Sequence, residues 1–109
     1  MTTTPTTIKL TYEDYVCFPD DGKRHELIDG EHYVTPAPLT KHQRLSVNLV
    51  SAIHHHCHQT KQGQVFSAPT DVIFTETDVV QPDVVFLAKD RDHLITRENI
   101  QGYPDIIVE

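Results

Sequence analysis

The apolar residues of this chain follow two periodicities, and the change from one to the other falls near residue 63. Before it, Leu45, Leu49, Ile53 and Cys57 recur at four-residue intervals, which traces one face of a helix with 3.6 residues per turn. Thr40-x-x-Gln43 has the form of a capping box: the hydroxyl takes an amide of the first turn and the glutamine returns to the cap amide. Helix from Thr40 to a stop at Gly63 is the expectation. Beyond that point the runs are short: Val65-Phe66, Val72-Ile-Phe74, Val79-Val80, Val84-Val-Phe-Leu87 and Ile106-Ile-Val108. β-Branched and aromatic runs of this length, separated by turn residues, predict strands. Glu76-Thr-Asp78 predicts a hairpin tip, and the polar stretch from Arg91 to Asn99 a loop or a short helix.

The first forty residues are more punctuated. Thr11-Tyr-Glu-Asp14 pairs a hydroxyl with a carboxylate three residues on, a helix-start signal, and Pro19 limits the helix to a few residues. Asp20-Asp-Gly22 predicts a turn. In His25 to Val34 the dipeptide Asp29-Gly30 separates two strand-like stretches, the signature of a type I′ hairpin. Thr35-Pro-Ala-Pro38 then leads away from the sheet. Helix, hairpin, long helix and strands in that order predict an α+β fold, a mixed β-sheet backed by helices, preceded by a flexible leader over residues 1–9.

Composition narrows the class. A length of 109 residues suits one small domain. No apolar run reaches about 18 residues, so no membrane span is expected, and the first residues lack the basic start and apolar stretch of a secretory signal. Two cysteines without such a signal favour reduced thiols, with a cytoplasmic location as the default. A formal charge of −7 weighs against sequence-independent nucleic-acid binding, because phosphate affinity comes from Lys and Arg. A site built from carboxylates is itself acidic, however, and a charge sum does not say where the cations sit.

The candidate chemistry lies in acids beside strand runs. Asp83 stands in Gln81-Pro-Asp-Val-Val-Phe-Leu87, and Glu109 closes Tyr103-Pro-Asp-Ile-Ile-Val-Glu109. A carboxylate at the edge of a central strand is costly unless it pairs or binds a cation. Two on neighbouring strands suit a hard cation such as Mg²⁺; Glu26, on the hairpin, is a third candidate. The alternative is three acids that face solvent or pair with basic side chains. Asp105 faces the same side as Glu109 but stands roughly 13 Å from it along the strand, too far to share an ion, and reads instead as the residue that opens that strand.

Arg24-His-Glu-Leu-Ile-Asp-Gly-Glu31, His42 at a helix start, Gln81-Pro-Asp-Val84 and Pro104-Asp-Ile-Ile-Val-Glu109 together resemble the Uma family of restriction-endonuclease-like proteins, in the PD-(D/E)XK nuclease superfamily. The resemblance runs from about residue 10 to the end, and its strength lies in the order and spacing of motifs that are individually short. It implies a restriction-endonuclease-like core over residues 10–109, forming the N-terminal portion of a single nuclease-like domain. It also implies hydrolysis of DNA phosphodiester bonds with Mg²⁺ or Mn²⁺ held by Asp83, Glu109 and Glu26. The superfamily's Asp falls on Asp83, the acid of its Glu-x-Lys element on Glu109, and the additional N-terminal Glu on Glu26. The lysine that follows the second acid has no counterpart, since Glu109 is the last residue. The expectation is therefore a domain whose C-terminal part is missing and whose catalysis is absent or impaired, with an open sheet edge through which the chain could self-associate or form a homodimer.

Two features point elsewhere. His54-His-His-Cys-His58 places His54 and His58 four apart, a spacing that suits a transition metal on a helix, although both project from the side opposite Leu45, Leu49 and Ile53. His42 falls on the predicted apolar face, where a hydrogen-bonded core histidine is the expectation. The readings alternative to a nuclease are accordingly a non-catalytic interaction domain that keeps the fold, and a His-rich metal-binding protein.

Overall fold

The computed structural model describes residues 8–109, so most of the expected leader lies outside the described residues. The short first helix, α1, spans Tyr12–Tyr15. The Asp14 carboxylate accepts the Thr11 backbone N–H at 2.9 Å, the predicted return half of the cap. β1 (Arg24–Ile28) and β2 (Glu31–Thr35) pair antiparallel. Their turn places both Asp29 (φ 51°) and Gly30 (φ 75°) in the left-handed region, as type I′ demands.

The long helix α2 runs Thr40–Thr60, and its ends correct the expectation on both sides. Leu39 is the N-cap and no side chain caps the helix; Thr40 is already helical, so its hydroxyl is one position too late. At the other end Lys61 takes the left-handed conformation (φ 55°), its N–H bonded to the Cys57 carbonyl at 2.7 Å. Gly63 opens the next strand instead. A Cβ there would stand 2.5 Å from the Leu87 carbonyl oxygen and 2.7 Å from the Phe86 ring, so glycine is required by strand contact and not by helix termination.

The remaining strands are β3 (Gly63–Ser67), β4 (Val72–Thr75), β5 (Asp78–Val80), β6 (Val84–Ala88), β7 (Ile100–Gln101) and β8 (Ile106–Val108), with a 3-10 helix over Lys89–Leu94. They form a five-stranded mixed sheet, β2-β1-β5-β4-β7, and a three-stranded antiparallel sheet, β3-β6-β8. The α+β class holds, with its strands divided between two sheets. The two-residue β7 carries no sequence signal of its own; it pairs in parallel with β4.

Two apolar clusters hold the layers. Val72, Val85, Leu87 and Ile100 form one, bridging strands of both sheets; Tyr15, Leu27 and Val79 form the other, beneath α1. Helix α2 packs on β3 and β6, but of its predicted apolar stripe only Cys57 is buried, while Leu45 is 61% and Leu49 38% exposed. Among the described residues no helix is long and apolar enough to cross a membrane.

Candidate functional site

The two sheets exchange chain at Gln81-Pro82-Asp83, the three residues between β5 and β6. The Gln81 N–H donates to Glu26 Oε2 on β1 at 2.8 Å, the Asp83 N–H to the Val108 carbonyl on β8 at 2.9 Å, and the Ala68 N–H to the Asp83 carbonyl at 3.1 Å. Pro82, fully buried, has no N–H to satisfy. The segment therefore fixes Asp83 in place from both neighbouring strands.

Its side chain is held as firmly. Asp83 is 5% exposed, and a buried carboxylate must be paired. Arg24, at the start of β1, donates a guanidinium N–H to Oδ1, and His42, in the first turn of α2, donates from Nε2 to Oδ2 at 2.9 Å. Each oxygen thus accepts one hydrogen bond. The apolar-face assignment of His42 is thus corrected: its side chain is 42% exposed and serves Asp83, and its Nδ1 is buried with no partner among the described residues.

Glu26 shares a face with Arg24 through the two-residue period of β1. Burial holds its carboxyl above the ordinary carboxylate range; the Gln81 N–H opposes this, the negative charges of Glu109 and Asp83 push it further up, and Arg24 pulls it down. Glu109 stands one residue past the Val84–Val108 pair of β6 and β8, beside Asp83 in the ladder and exposed at its end. The three predicted acids therefore lie at one junction, and Glu26 feels the charge of the other two. Among the described residues, though, no three His, Cys, Asp or Glu side chains are gathered closely enough to cage an ion. Asp105 is accounted for separately: it accepts the Ala88 N–H at 2.7 Å and pairs with Arg91 at 3.4 Å.

A cleft of about 830 Å³ opens beside the junction, with Arg24, Asp71, Gln81 and Asp83 on one side and Val47 and Val50 of α2 on the other. Asp71 ties its floor, accepting the Tyr15 hydroxyl at 2.7 Å and the Gln81 side-chain amide at 2.8 Å. Burial first, and Asp71 second, push the Tyr15 phenol far above its usual range, so it stays a donor at any physiological pH.

Sequence reasoning missed the roles of Arg24, His42 and Asp71. A faint signal existed for the first, since Arg24 and Glu26 are two apart on a strand. It also missed the pair His25 and His32, which the hairpin register puts on one face: His25 Nε2 donates to Asp21 at 2.8 Å, and its Nδ1 lies 2.9 Å from His32 Nε2. Phe18 stacks on His32 with ring centroids 3.9 Å apart. In the tract on α2, His54, His55, His56 and His58 are all exposed, and the rings of His54 and His58 lie 6.5 Å apart.

Two sheets backed by a long helix, with acids where the strands change sheet, define an α+β nuclease-like fold. Residues 12–109 match the model of the family described as "Uma2: Putative restriction endonuclease", and the chain belongs to that family. Among solved structures it is similar to one from Anabaena variabilis ATCC 29413, described as a putative nuclease belonging to DUF820, with a TM-score of 0.73 and 20% sequence identity. The match covers 92% of this chain and 57% of that one, so the chain spans little more than half the length of its structural neighbour. No curated protein matches.

Proposed function

We propose that this chain is a metal-dependent endonuclease-like domain that acts on DNA phosphodiester bonds, with Asp83, Glu26 and Glu109 as the ligands of Mg²⁺ or Mn²⁺. The observation that carries the reading is the placement of Asp83, buried at the sheet junction, lining the cleft, and near enough to Glu26 to act on its charge, as Glu109 also is. Three carboxylates offer oxygen ligands only, the donor type that a hard divalent ion takes. When bound, such an ion polarises a phosphoryl oxygen and lowers the pKa of an attacking water.

The remaining roles belong to the protein itself. The Gln81 N–H orients Glu26, His42 fixes the direction of Asp83, and the ladder of β6 and β8 brings Glu109 alongside. Lys23 and Arg24 line the cleft, which supplies cations where a phosphate would enter despite the acidic total. Family membership and the neighbour's description support the same class.

One observation favours a second reading. Arg24 already neutralises Asp83, as in a non-catalytic interaction domain that keeps the fold without the ion. Calorimetric titration with Mn²⁺ separates the two. The nuclease reading expects saturable binding that Asp83→Ala abolishes. Equal heats in the wild type and the variant would leave the interaction domain standing. Self-association through the open edge of β8, where Ile106 is 52% exposed, belongs to the same proposal; a single-copy mass by light scattering at high concentration would remove it.

A further inference from the structure

We propose that His32 is an acid-released cover over Phe18. Its imidazole lies on the Phe18 ring and against His25 while the two histidines hold at most one added proton between them, and it swings off when both are protonated. The device is independent of the metal reading above.

The hairpin register pairs His25 with Val34 and Leu27 with His32, so the two histidines stand diagonally on one face of β1 and β2. His25 is buried and His32 exposed. Their facing nitrogens, His25 Nδ1 and His32 Nε2, lie 2.9 Å apart, a contact that requires one N–H and one lone pair. A neutral pair meets this, with His32 donating. A pair that has gained one proton meets it too, with His25 donating through Nδ1 while its Nε2 still donates to Asp21 at 2.8 Å. A second proton removes the last lone pair. Two N–H groups then point at each other, and two cations stand with ring centroids 5.1 Å apart, an arrangement that charge repulsion drives apart.

The ring that yields is His32. His25 is tied to Asp21, which also accepts the Lys23 N–H at 3.1 Å. These bonds, the one from His25 first, hold the Asp21 carboxyl below the ordinary carboxylate range, so it stays an anion while the histidines titrate. His32 stacks on Phe18, ring centroids 3.9 Å apart. A protonated imidazole is attracted to an aromatic face, but the lost hydrogen bond and the charge on His25 oppose that attraction together. Phe18 stays behind, edge-on to Tyr15 at 5.5 Å and packed on the cluster of Tyr15, Leu27 and Val79. No other nearby charge holds the second proton in place. Asp20 and Lys23 of the turn, opposite in sign, line the cleft together with Phe18 and His25. Arg24, Glu26 and Glu31 lie on the other face of the hairpin by its two-residue period, and α1 contributes only the neutral Tyr15 phenol. The uncovered form binds one proton more than the covered form, so its share rises as pH falls. Acid thus bares an aromatic face beside the cleft.

An NMR titration from about pH 7.5 down through the histidine range tests this in the wild type and in His32→Gln. Imidazole nitrogen shifts count the protons on each ring, and NOEs report contact between His32 and the Phe18 ring. In the wild type the NOEs should survive entry of the first proton and decay as the second enters, the covered fraction falling by up to about tenfold per pH unit. NOEs at full strength with both rings protonated would overturn the cover. So would failure of the second proton to enter above about pH 4, well below the ordinary histidine range, since acid would then release nothing. In His32→Gln the side-chain amide can donate to His25 Nδ1 and takes up no proton, so the Phe18 ring shifts should stay constant over the same range. Phe18 shifts that move as far in the variant as in the wild type would assign the change to groups other than the pair and sink the proposal. The wild-type titration decides the matter even if the variant fails to fold.

Discussion

Helix α2 and the segment Gln81–Asp83 make opposite use of their residues. The helix has 21 residues, a clear apolar stripe and little burial, with Leu45 and Leu49 open to solvent. The junction has three residues, no periodicity at all, and is joined by hydrogen bonds to β1, to β8 and to the chain at Ala68. Periodicity reports which side of an element is apolar; it does not report whether a partner covers that side. Burial follows from long-range pairing, and that is where this molecule concentrates its stability and its candidate chemistry.

The sharpest way to break this contrast is at Asp83. Asp83→Ala removes the partner of Arg24 and His42 together, the carboxylate side chain being 7% and the Arg24 side chain 18% exposed. Removing one member of a buried pair costs about 3–5 kcal/mol, and urea denaturation should register a loss of that order. A loss below about 1 kcal/mol, the usual worth of a surface pair, would mean that the junction is no more than a solvated edge.

Leucines provide the next comparison, because chemistry is held constant and only burial differs. Leu27, fully buried between Tyr15 and Val79, should cost about 2–5 kcal/mol on Leu27→Ala. Leu45→Ala, on the exposed stripe of α2, should change stability by no more than about 0.5 kcal/mol. Equal losses at the two sites would show that α2 is covered in solution by something beyond the described residues.

The same contrast explains what could be read in advance. The type I′ turn at Asp29-Gly30, the existence of α2 and five of the later strands are local matters, set by turn chemistry and side-chain period, and they were legible. Gly63 misled because helix end and strand start lie two residues apart, and glycine suits both. The division into two sheets was not legible, nor was β7, because strand pairing is decided by contacts across the chain. The site follows the same rule. Asp83 stood out as an acid next to an apolar run, but its partners are 59 and 41 residues away in sequence. Beyond the two-residue spacing of Arg24 and Glu26, nothing near Arg24 or His42 announces that they meet one carboxylate.

Glu26 sharpens the electrostatic side of the junction. A carboxyl whose pKa is raised on folding contributes stability that is complete below its unfolded range and is lost as pH rises through the raised folded value. At neutral pH the ionised Glu26 is therefore a burden, chiefly through burial and then through Glu109 and Asp83. Glu26→Gln keeps an oxygen for the Gln81 N–H and drops the charge. It should melt higher than the wild type at pH 7, by less than the about 4–8 °C that 1 kcal/mol is worth in a domain of this size, and the gap should close on acidification. A variant that melts lower at pH 7 would show that the ionised carboxylate is already satisfied.

Asp78, away from the junction at the start of β5, is the mirror case and the smallest effect. The Thr75 hydroxyl, at 2.6 Å, and the Asp29 N–H, at 2.8 Å, both donate to its carboxylate; the first is the larger cause of a pKa held below the ordinary carboxylate value, the second adds to it, and Lys9 contributes last. With the sign reversed, its contribution is present above the unfolded pKa and lost as pH falls through the depressed folded one. Solvent screens most of it, so Asp78→Ala should cost about 0.5–1 kcal/mol at pH 7, less in acid, and should leave Mn²⁺ affinity unchanged. The two acidic variants then differ in sign at neutral pH and approach the wild type together in acid. If Asp78→Ala shifted Mn²⁺ affinity, the hairpin end of the five-stranded sheet would have to be coupled to the junction through β1 and β5, and the separation between a chemical region and a scaffold region would fail there.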